Sequence, residues 1–329
     1  MTARRSDDRH HPGPSHHVGL NPAADTVSAV TTDWGNDERR LTDTVSVLVG
    51  PENGAYPSGN TLLVRGTSES LLIDPSVTVV QRGAPVPVDA ILNSHSHEDH
   101  IAGNGSFPDA RVHVHTADLP GVQSLQGLMD VYGMPIDHEF ATTVVEEFNF
   151  TPRPDAHGFS DGHVFDLGGG TAVEAVHLPG HTRGHSGFRV GADVFFLSDI
   201  DLTGFGPYYG DVWSDLEDFE ASLEKVRDEH ARWYVTFHHK GVIDGRDEFV
   251  RLLDAFEAVI PRRHQAMLEF LAEPRTIEDM VAHRFIYRPH VQHSFADTVE
   301  RRSAELHLQR MLARGEAAEI EPGRYRATS

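Results

Sequence analysis

Short apolar runs separated by turn residues dominate the chain from about residue 43 to residue 245. Runs rich in Val, Ile, Leu and Phe are typical of β-strands, and the longer amphipathic stretches between them predict helices. The predicted strands are 44–49, 61–65, 70–73, 90–93, 111–115, 171–177, 187–190, 194–197 and 233–237. The predicted helices are 118–131, 138–147, 215–230 and 246–258. Strands interspersed with helices, and glycine-rich breaks such as 168–170, indicate a layered α/β domain.

The two ends of the chain differ from this middle section. Residues 1–38 are rich in Pro, Gly, Asp, His and Arg without an apolar period, which predicts a disordered tail. Near residue 260 another section begins, in which Thr276 and Asp279 have the spacing of a helix-capping pair. Further helix and hairpin patterns follow at 296–313 and 318–327. The sequence therefore predicts a tail (1–38), a main domain (39–259) and a small C-terminal domain (260–329) with the outline of a winged helix.

Composition narrows the chemistry that the chain can perform. None of the 329 residues is cysteine, which excludes thiolate ligands, so a transition-metal site must use His, Asp and Glu. No apolar run approaches the ~18 residues that cross a bilayer, and the N-terminus lacks the apolar core of a secretory signal. We therefore expect no membrane association and a cytoplasmic location. The net charge of −22 would repel nucleic acid, so a small-molecule substrate is the expected partner.

One segment places four potential metal ligands directly after a predicted strand. His95 and His97 would point to the same side of an extended stretch and could share one ion. A turn after His97 would let Asp99 and His100 face a second ion. A lone His-x-His pair is common in a chain with 23 histidines, but His-x-His-x-Asp-His after a strand is a specific pattern. Buried imidazoles and carboxylates also need partners, because burying them unpaired costs several kcal/mol.

Three other predicted strands end in residues of the same kind. His181 and His185 lie in a glycine-containing segment after one of them. Asp199 directly follows the second, and the adjacent His238 and His239 follow the third. Each of these could be an ordinary polar strand end. Four strand ends that all terminate in metal-ligating residues indicate a shared metal site.

These motifs, in this order, closely resemble those of the metallo-β-lactamase superfamily, as found in glyoxalase II, lactonases and ribonuclease-like hydrolases. The resemblance covers roughly residues 40–245 and implies a four-layer αββα sandwich with two divalent metal ions at one edge of its sheets. Asp199 at the bridging position, and the lack of cysteine, depart from the true zinc β-lactamases and argue against antibiotic hydrolysis. His-x-His rather than His-x-Glu favours zinc over the di-iron reductases of this fold, although nitrogen and oxygen ligands also suit iron or manganese.

The resemblance also implies a role for each motif residue. The residues implied as ligands are His95, His97 and His181 for the first ion and Asp99, His100 and His239 for the second, with Asp199 bridging the two. His239 is preferred over its neighbour His238 because a His-x-Gly pattern begins there. Two further residues would lie just outside the ligands: His185 close to the ions, and Asp74 as the strand-end acid that orients a metal histidine or, equally, as a structural turn acid.

A site of this kind activates water, and the resulting hydroxide attacks a carbonyl or phosphoryl centre. Asp99 is the candidate to orient the nucleophile and move its proton. Tyr208 and Tyr209 lie in a glycine- and aromatic-rich loop after Asp199, where either could donate to the developing oxyanion or simply pack under the loop.

The stretch 118–150 is longer than a simple strand connection. With Met129, Tyr132, Met134 and Phe140 it predicts either a helical lid with an apolar wall or additional core.

Three functions follow from the sequence. The first is a dinuclear metal-dependent hydrolase of a small ester, thioester or lactone. The second is a mononuclear iron enzyme resembling persulfide dioxygenases, in which only the positions of His95, His181 and Asp199 bind metal. The third, a nuclease or nucleic-acid binder, is disfavoured because residues 276–329 carry no net charge and adjoin an acidic body. For the C-terminal section we favour packing, homo-oligomer formation or a wall of the active site.

Overall fold

The computed structural model describes residues 33–291 and 294–328. Within these ranges a first sheet has the order β1-β2-β3-β4-β5-β6-β7, antiparallel as far as β4 and parallel from there to β7. Its strands are β1 (Glu38–Arg40), β2 (Val45–Leu48), β3 (Thr61–Arg65), β4 (Ser70–Ile73), β5 (Ala90–Leu92), β6 (Arg111–His115) and β7 (His157–Phe159).

A second sheet has the order β13-β12-β11-β10-β9-β8. It is antiparallel except where β11 pairs with β12 in parallel. Its strands are β8 (Val164–Asp166), β9 (Ala172–His177), β10 (Ser186–Val190), β11 (Val194–Ser198), β12 (Trp233–Thr236) and β13 (Val242–Asp244).

The two sheets pack face to face around an apolar core, and helices cover their outer faces. Strand β11 is apolar throughout because both of its faces are buried. Phe196 packs between the sheets, whereas Phe195 and Leu197 pack under the outer helices of the second sheet. A short turn, α1 (Pro51–Gly54), follows β2 and lies beside His238. The outer helices are α2 (Val77–Arg82), α3 (Leu119–Gln123), α4 (Leu125–Tyr132), α5 (Glu139–Glu146), α6 (Leu216–Arg227) and α7 (Arg246–Glu257). These layers are the predicted αββα sandwich.

The C-terminal section forms a smaller cluster of its own. It contains α8 (Val259–Phe270), α9 (Ile277–His283), α10 (Ala296–Arg314), β14 (Ala317–Glu321) and β15 (Arg324–Ala327). The predicted capping pair is present, because the Thr276 hydroxyl accepts from the Asp279 amide and the Asp279 carboxylate accepts from the Thr276 amide. Gly315 ends α10 with φ of 70°, a left-handed conformation that glycine adopts freely. The winged-helix assignment itself stays a prediction.

The nine predicted strands and the helices 138–147, 215–230 and 246–258 are all found, with small shifts at their ends. The predicted helix 118–131 is two short helices, because Ser124 leaves the helical conformation and caps the second one by accepting from Gly127 N.

The N-terminal boundary was placed too late: residues 33–38 belong to the folded domain, where the buried Trp34 indole donates to Gly83 O. Most of the predicted tail, including its histidines, lies outside the described residues. Among the described residues, no helix is long and apolar enough to cross a membrane.

Candidate metal centre

Four strand ends converge at one edge of the sandwich, as the motifs predicted. The buried loop after β5 carries His95 and His97, and the loop after β9 carries His181. Asp199 follows β11, and His238 follows β12. The glycine at position 180 lets the His181 loop pass close to α6, since a Cβ there would lie 2.2 Å from the backbone nitrogen of Phe219. The convergence therefore depends on strand direction and on one close backbone approach.

The first group of ligand atoms contains His95, His97, His181 and Asp199. His181 Nε2 lies 3.2 Å from His95 Nε2 and 3.0 Å from His97 Nδ1. Asp199 Oδ2 lies 3.2 Å from the same nitrogen of His181. Three imidazole nitrogens and one carboxylate oxygen thus face a common point, which is the donor set of a tetrahedral zinc site.

The second group contains Asp99, His100 and His238. His238 Nε2 lies 2.9 Å from Asp99 Oδ2, and His100 Nε2 lies 3.0 Å from Asp199 Oδ1. Because Asp199 presents Oδ2 to the first group and Oδ1 to the second, it occupies the bridging position that the sequence predicted.

The structure places His238, and not the preferred His239, among the ligand atoms of the second group. The His238 side chain is buried in the second group, whereas His239 is exposed at the rim of the cleft beside it. The backbone turns sharply there, with φ of 57° at His239, so the two consecutive side chains diverge. The carbonyl of His239 accepts a hydrogen bond from Asn53 Nδ2, which fixes the turn.

The ring nitrogens on the far side of these histidines contact fixed groups, which orient the rings and select their tautomers. His181 Nδ1 lies 2.9 Å from the Tyr208 carbonyl oxygen, and His238 Nδ1 lies 2.8 Å from the Gly54 carbonyl oxygen. His95 Nδ1 lies 2.9 Å from the hydroxyl of Ser94. The nearest partners are backbone oxygens and a hydroxyl, so the nitrogens that face the groups are free to bind cations.

Asp74 orients His100. Its Oδ2 lies 2.8 Å from His100 Nδ1 and accepts from the Ser94 hydroxyl, while its Oδ1 accepts from the Ser94 amide. This agrees with the orienting role that the resemblance implies for Asp74. His185 lies just outside the ligand groups, as expected, with Nδ1 on the Leu178 carbonyl oxygen and Nε2 3.4 Å from Asp199 N.

Two buried acids that the sequence analysis did not single out also support the centre. Asp211 Oδ2 lies 2.9 Å from His97 Nε2, at ion-pair distance although the ring N–H points off the line to the oxygen. Asp118 accepts from Ser96 N, Thr182 Oγ1 and Gly184 N, and so joins the two histidine loops. Both acids lie in loops with no local pattern around them, so only their three-dimensional contacts reveal them.

The ligand groups contain buried polar atoms that have no aligned hydrogen-bond partner among the described residues: Asp99 Oδ2, His100 Nε2 and Asp199 Oδ1. Leaving such atoms unsatisfied is costly unless something else binds them. All three face the second group, to which Asp199 turns Oδ1. These atoms fit one divalent cation, and the imidazole nitrogens and Asp199 Oδ2 of the first group form a donor set that fits another.

Proximity and burial shift the pKa values of the histidines in opposite directions. Burial, reinforced by the neighbouring rings, holds the pKa of His95 well below its ordinary value, so it presents a neutral nitrogen. Burial also lowers the pKa of His97, but the negative charge of Asp211 outweighs this and raises it to about 9. Cation binding at the first group would therefore displace a proton from His97.

A cleft of about 300 Å³ opens beside the two groups. Tyr208 lines it and donates to Asp211 Oδ1 at 3.3 Å. For Tyr209 the structure agrees with the alternative of packing: the side chain is buried away from the cleft, and its hydroxyl lies 2.9 Å from His307 Nε2. Consecutive side chains in an extended loop point to opposite sides, so only one of the pair can face the cleft.

The section 118–150 contributes a wall, as one of the two alternatives predicted. Tyr132, Met134 and Phe140 line the cleft, whereas Met129 is buried in the core beneath them. The C-terminal section also lines the cleft, with Tyr287, Phe295, Thr298 and Val299, and Phe295 packs against Phe140 of this wall. The cleft is thus closed by side chains that lie far from the ligands in sequence.

Comparison with known proteins identifies the family of the chain. The sequence profile described as "Metallo-beta-lactamase superfamily" matches residues 56–239. A hydroxyacylglutathione hydrolase from Aeromonas hydrophila is 29% identical over 42% of this chain and 44% of its own length. An atrochrysone carboxyl ACP thioesterase from Pseudocercospora fijiensis is 23% identical over 72% of this chain and 63% of its own length. This chain spans less than half of the hydroxyacylglutathione hydrolases that it matches, 44% and 49% of their lengths.

Solved structures share the fold. A metallo-beta-lactamase family protein from Thermus thermophilus superposes with a TM-score of 0.67, covering 88% of this chain and 100% of its own at 22% identity. A beta-lactamase domain protein from Burkholderia ambifaria has a TM-score of 0.60, covering 93% of this chain and 96% of its own at 17% identity.

Proposed function

Since the chain belongs to the metallo-beta-lactamase superfamily, we propose that it is a hydrolase of a small ester, thioester or lactone that uses two divalent metal ions, zinc in the first instance. One observation supports this above the others: Asp199 lies between two groups of ligand atoms, with Oδ2 at the first and Oδ1 at the second, and the second group contains buried atoms that lack an aligned hydrogen bond. The names of two relatives, a hydroxyacylglutathione hydrolase and an ACP thioesterase, agree with thioester chemistry.

Two cations bound there would lower the pKa of a water molecule between them towards about 7 and polarise the substrate carbonyl. The side chains supply the rest. Asp99, a buried carboxylate beside His238, is placed to accept a proton from the attacking water with the oxygen that does not bind a cation, and to pass it on. The Tyr208 hydroxyl faces the same cleft, where it can leave Asp211 and donate to the oxygen on which negative charge develops.

The mononuclear iron alternative requires only the first group of ligands. Asp99, His100 and His238 are then buried together without a cation, although they are brought to within 4.8 Å of one another. That arrangement is costly if the second group holds nothing, which supports the hydrolase over the dioxygenase. Nucleic-acid binding draws no support from the cleft, whose lining includes several carboxylates.

Metal analysis followed by a hydrolysis screen tests the proposal. Purified protein should contain about two equivalents of zinc, and it should cleave some of a panel of thioesters, esters and lactones. Chelation should abolish turnover, and zinc should restore it. One equivalent of iron with consumption of oxygen would overturn the proposal in favour of the dioxygenase, and metal-replete protein that cleaves nothing in the panel would also contradict it.

A further inference from the structure

The cleft is aromatic and acidic. Among the described residues, seven tyrosine and phenylalanine side chains line it, including Tyr56, Tyr132 and Tyr287. Besides the two aspartates of the ligand groups, its wall contains Glu98, Asp201 and Asp211. Among the residues that the structure describes, neither lysine nor arginine lines this cleft. Among these described residues, a negatively charged ligand therefore finds no lysine or arginine to pair with.

The acids of the wall are already hydrogen-bonded within it. Glu98 Oε1 accepts from the Tyr56 hydroxyl at 3.0 Å, and Glu98 Oε2 accepts from the Tyr132 hydroxyl. Asp201 Oδ1 accepts from both the amide and the hydroxyl of Thr203. Because these oxygens are occupied, they do not form a dedicated site for a substrate ammonium group. Their negative charge nevertheless remains close to whatever enters the cleft.

Arginines that contact the neighbouring loop do not reverse this balance. Arg263 donates to the carbonyl oxygens of Phe205 and Pro207, and Arg302 donates to those of Asp211 and Ser214. Neither arginine lines the cleft itself, and both guanidinium groups are bound to backbone carbonyl oxygens of the loop beside it. They hold the loop in place and are not available to bind a substrate carboxylate.

From this lining we propose that the cleft accepts a substrate that carries no negative charge and has an aromatic or bulky apolar acyl group, and that it disfavours thioesters of anionic thiols such as glutathione. The inference rests on the proposed function, whose substrate class it narrows. A cleft of about 300 Å³ is at the small end of ligand pockets and suits one ring with a short linker. A negative charge a few ångströms from the wall acids should lower kcat/KM by about tenfold or more.

A series of thioesters that differ only in charge tests the inference. The phenylacetyl thioesters of 2-mercaptoethanol, 3-mercaptopropionate and thiocholine carry the same acyl group with a neutral, an anionic and a cationic thiol. We expect zinc-loaded protein to prefer the neutral ester over the anionic one by at least about tenfold, and phenylacetyl over acetyl on the neutral thiol. Equal or faster cleavage of the anionic ester would overturn the inference. So would cleavage of the thiocholine ester as slow as that of the anionic ester, because the penalty would then not follow the sign of the charge.

A pair of variants with the same charge change locates the effect. Thr298→Lys adds a positive charge to the cleft wall, and Asp109→Asn removes a negative charge from an exposed position outside the cleft lining. We expect Thr298→Lys to narrow the gap between the neutral and anionic esters several-fold, and Asp109→Asn to leave it unchanged. An equal change in both would assign the preference to the net charge of −22 and overturn the role of the cleft.

Binding of inert analogues separates this inference from the proposed function. The phenethyl thioethers of the same three thiols lack the scissile carbonyl, and their affinities can be measured by calorimetry on metal-loaded protein. The neutral thioether should bind at least about tenfold more tightly than the anionic one. If this order holds while no ester is cleaved, the hydrolase proposal fails and the inference on the cleft stands. If the anionic thioether binds as well as the neutral one, the inference fails whether or not hydrolysis occurs.

Discussion

Asp211→Asn should weaken binding of the first metal ion without unfolding the protein. Asp211 Oδ2 lies 2.9 Å from His97 Nε2, on the side of the ring opposite the nitrogen that faces the ligand group. Asparagine has nearly the same shape, so the packing of this buried residue is kept while its charge is lost. The change therefore tests whether the carboxylate strengthens His97 as a ligand.

The expected magnitude follows from the contact. A well-aligned hydrogen bond to a charged group contributes about 1.5–3 kcal/mol, and here the N–H points off the line to Oδ2, which places the contribution near the lower end. About 1.5 kcal/mol corresponds to roughly tenfold in affinity. Loss of an outer partner of a metal-ligating histidine typically weakens metal binding by about 10- to 100-fold, which agrees.

Competition with a chromophoric chelator above about pH 9, where His97 no longer carries the proton that Asp211 stabilises, measures this change for each of the two ions. Asp211→Asn should raise the dissociation constant of the ion at His95, His97 and His181 by about tenfold and leave the ion at the second group within about twofold. Asp109→Asn, which removes the same charge from an exposed position, is the matched control. An affinity that stays within twofold of wild type, or an equal loss in the control, would refute the reasoning.

Further changes test other parts of the site. Tyr208→Phe should lower kcat by about tenfold with metal content unchanged, whereas Tyr209→Phe should leave kcat within about twofold and cost about 1 kcal/mol in urea unfolding, since its hydroxyl contacts a histidine away from the cleft. Asp118→Asn should cost about 2 kcal/mol in the same assay, because an amide NH2 would face the donors that join the two histidine loops. Glu300→Gln should raise KM several-fold and change kcat less in steady-state assays. This buried carboxylate accepts from the backbone amides of residues 285–287, so its loss should displace the cleft wall rather than the ligand groups. Burial, and then the adjacent His177, lowers the pKa of His115 to about 4. Between pH 6.5 and 4 the unfolded chain therefore binds more protons than the folded protein, and the free energy of unfolding falls as the pH falls. His115→Gln should accordingly reduce the drop in Tm between pH 7 and pH 5.

The sequence could predict the parts of the site that depend on local pattern. His95, His97, Asp99 and His100 are recognisable because their residue types bind metals and because an apolar strand fixes the direction in which they leave the sheet. The core strands were recognisable for a related reason: burial on both faces requires continuous apolar runs. The three-residue strands at 38–40, 157–159, 164–166 and 242–244 were missed because so few residues contain no period.

Other features depend on backbone turns or on contacts distant in sequence. Whether His238 or His239 enters the second group is decided by one left-handed residue, which the spacing of two adjacent histidines does not encode. Similarly, only one of the adjacent tyrosines in the 202–211 loop can face the cleft. Asp211 and Asp118 contact partners that lie more than 20 residues away in the sequence. The residues beside them in the sequence therefore do not distinguish them from other acids in loops.

The C-terminal section shows how these distant contacts connect the fold to the chemistry. Arg302 on α10 donates to the Asp211 and Ser214 carbonyl oxygens, and Arg263 on α8 donates to the Pro207 carbonyl oxygen. Between these anchors, the loop presents the Tyr208 carbonyl to His181 and the Asp211 carboxylate to His97. The section therefore fixes two ligands of the first group through the loop, in addition to lining the cleft. A boundary near residue 260 divides the chain by packing, but the geometry of the metal centre depends on residues from both sides of it.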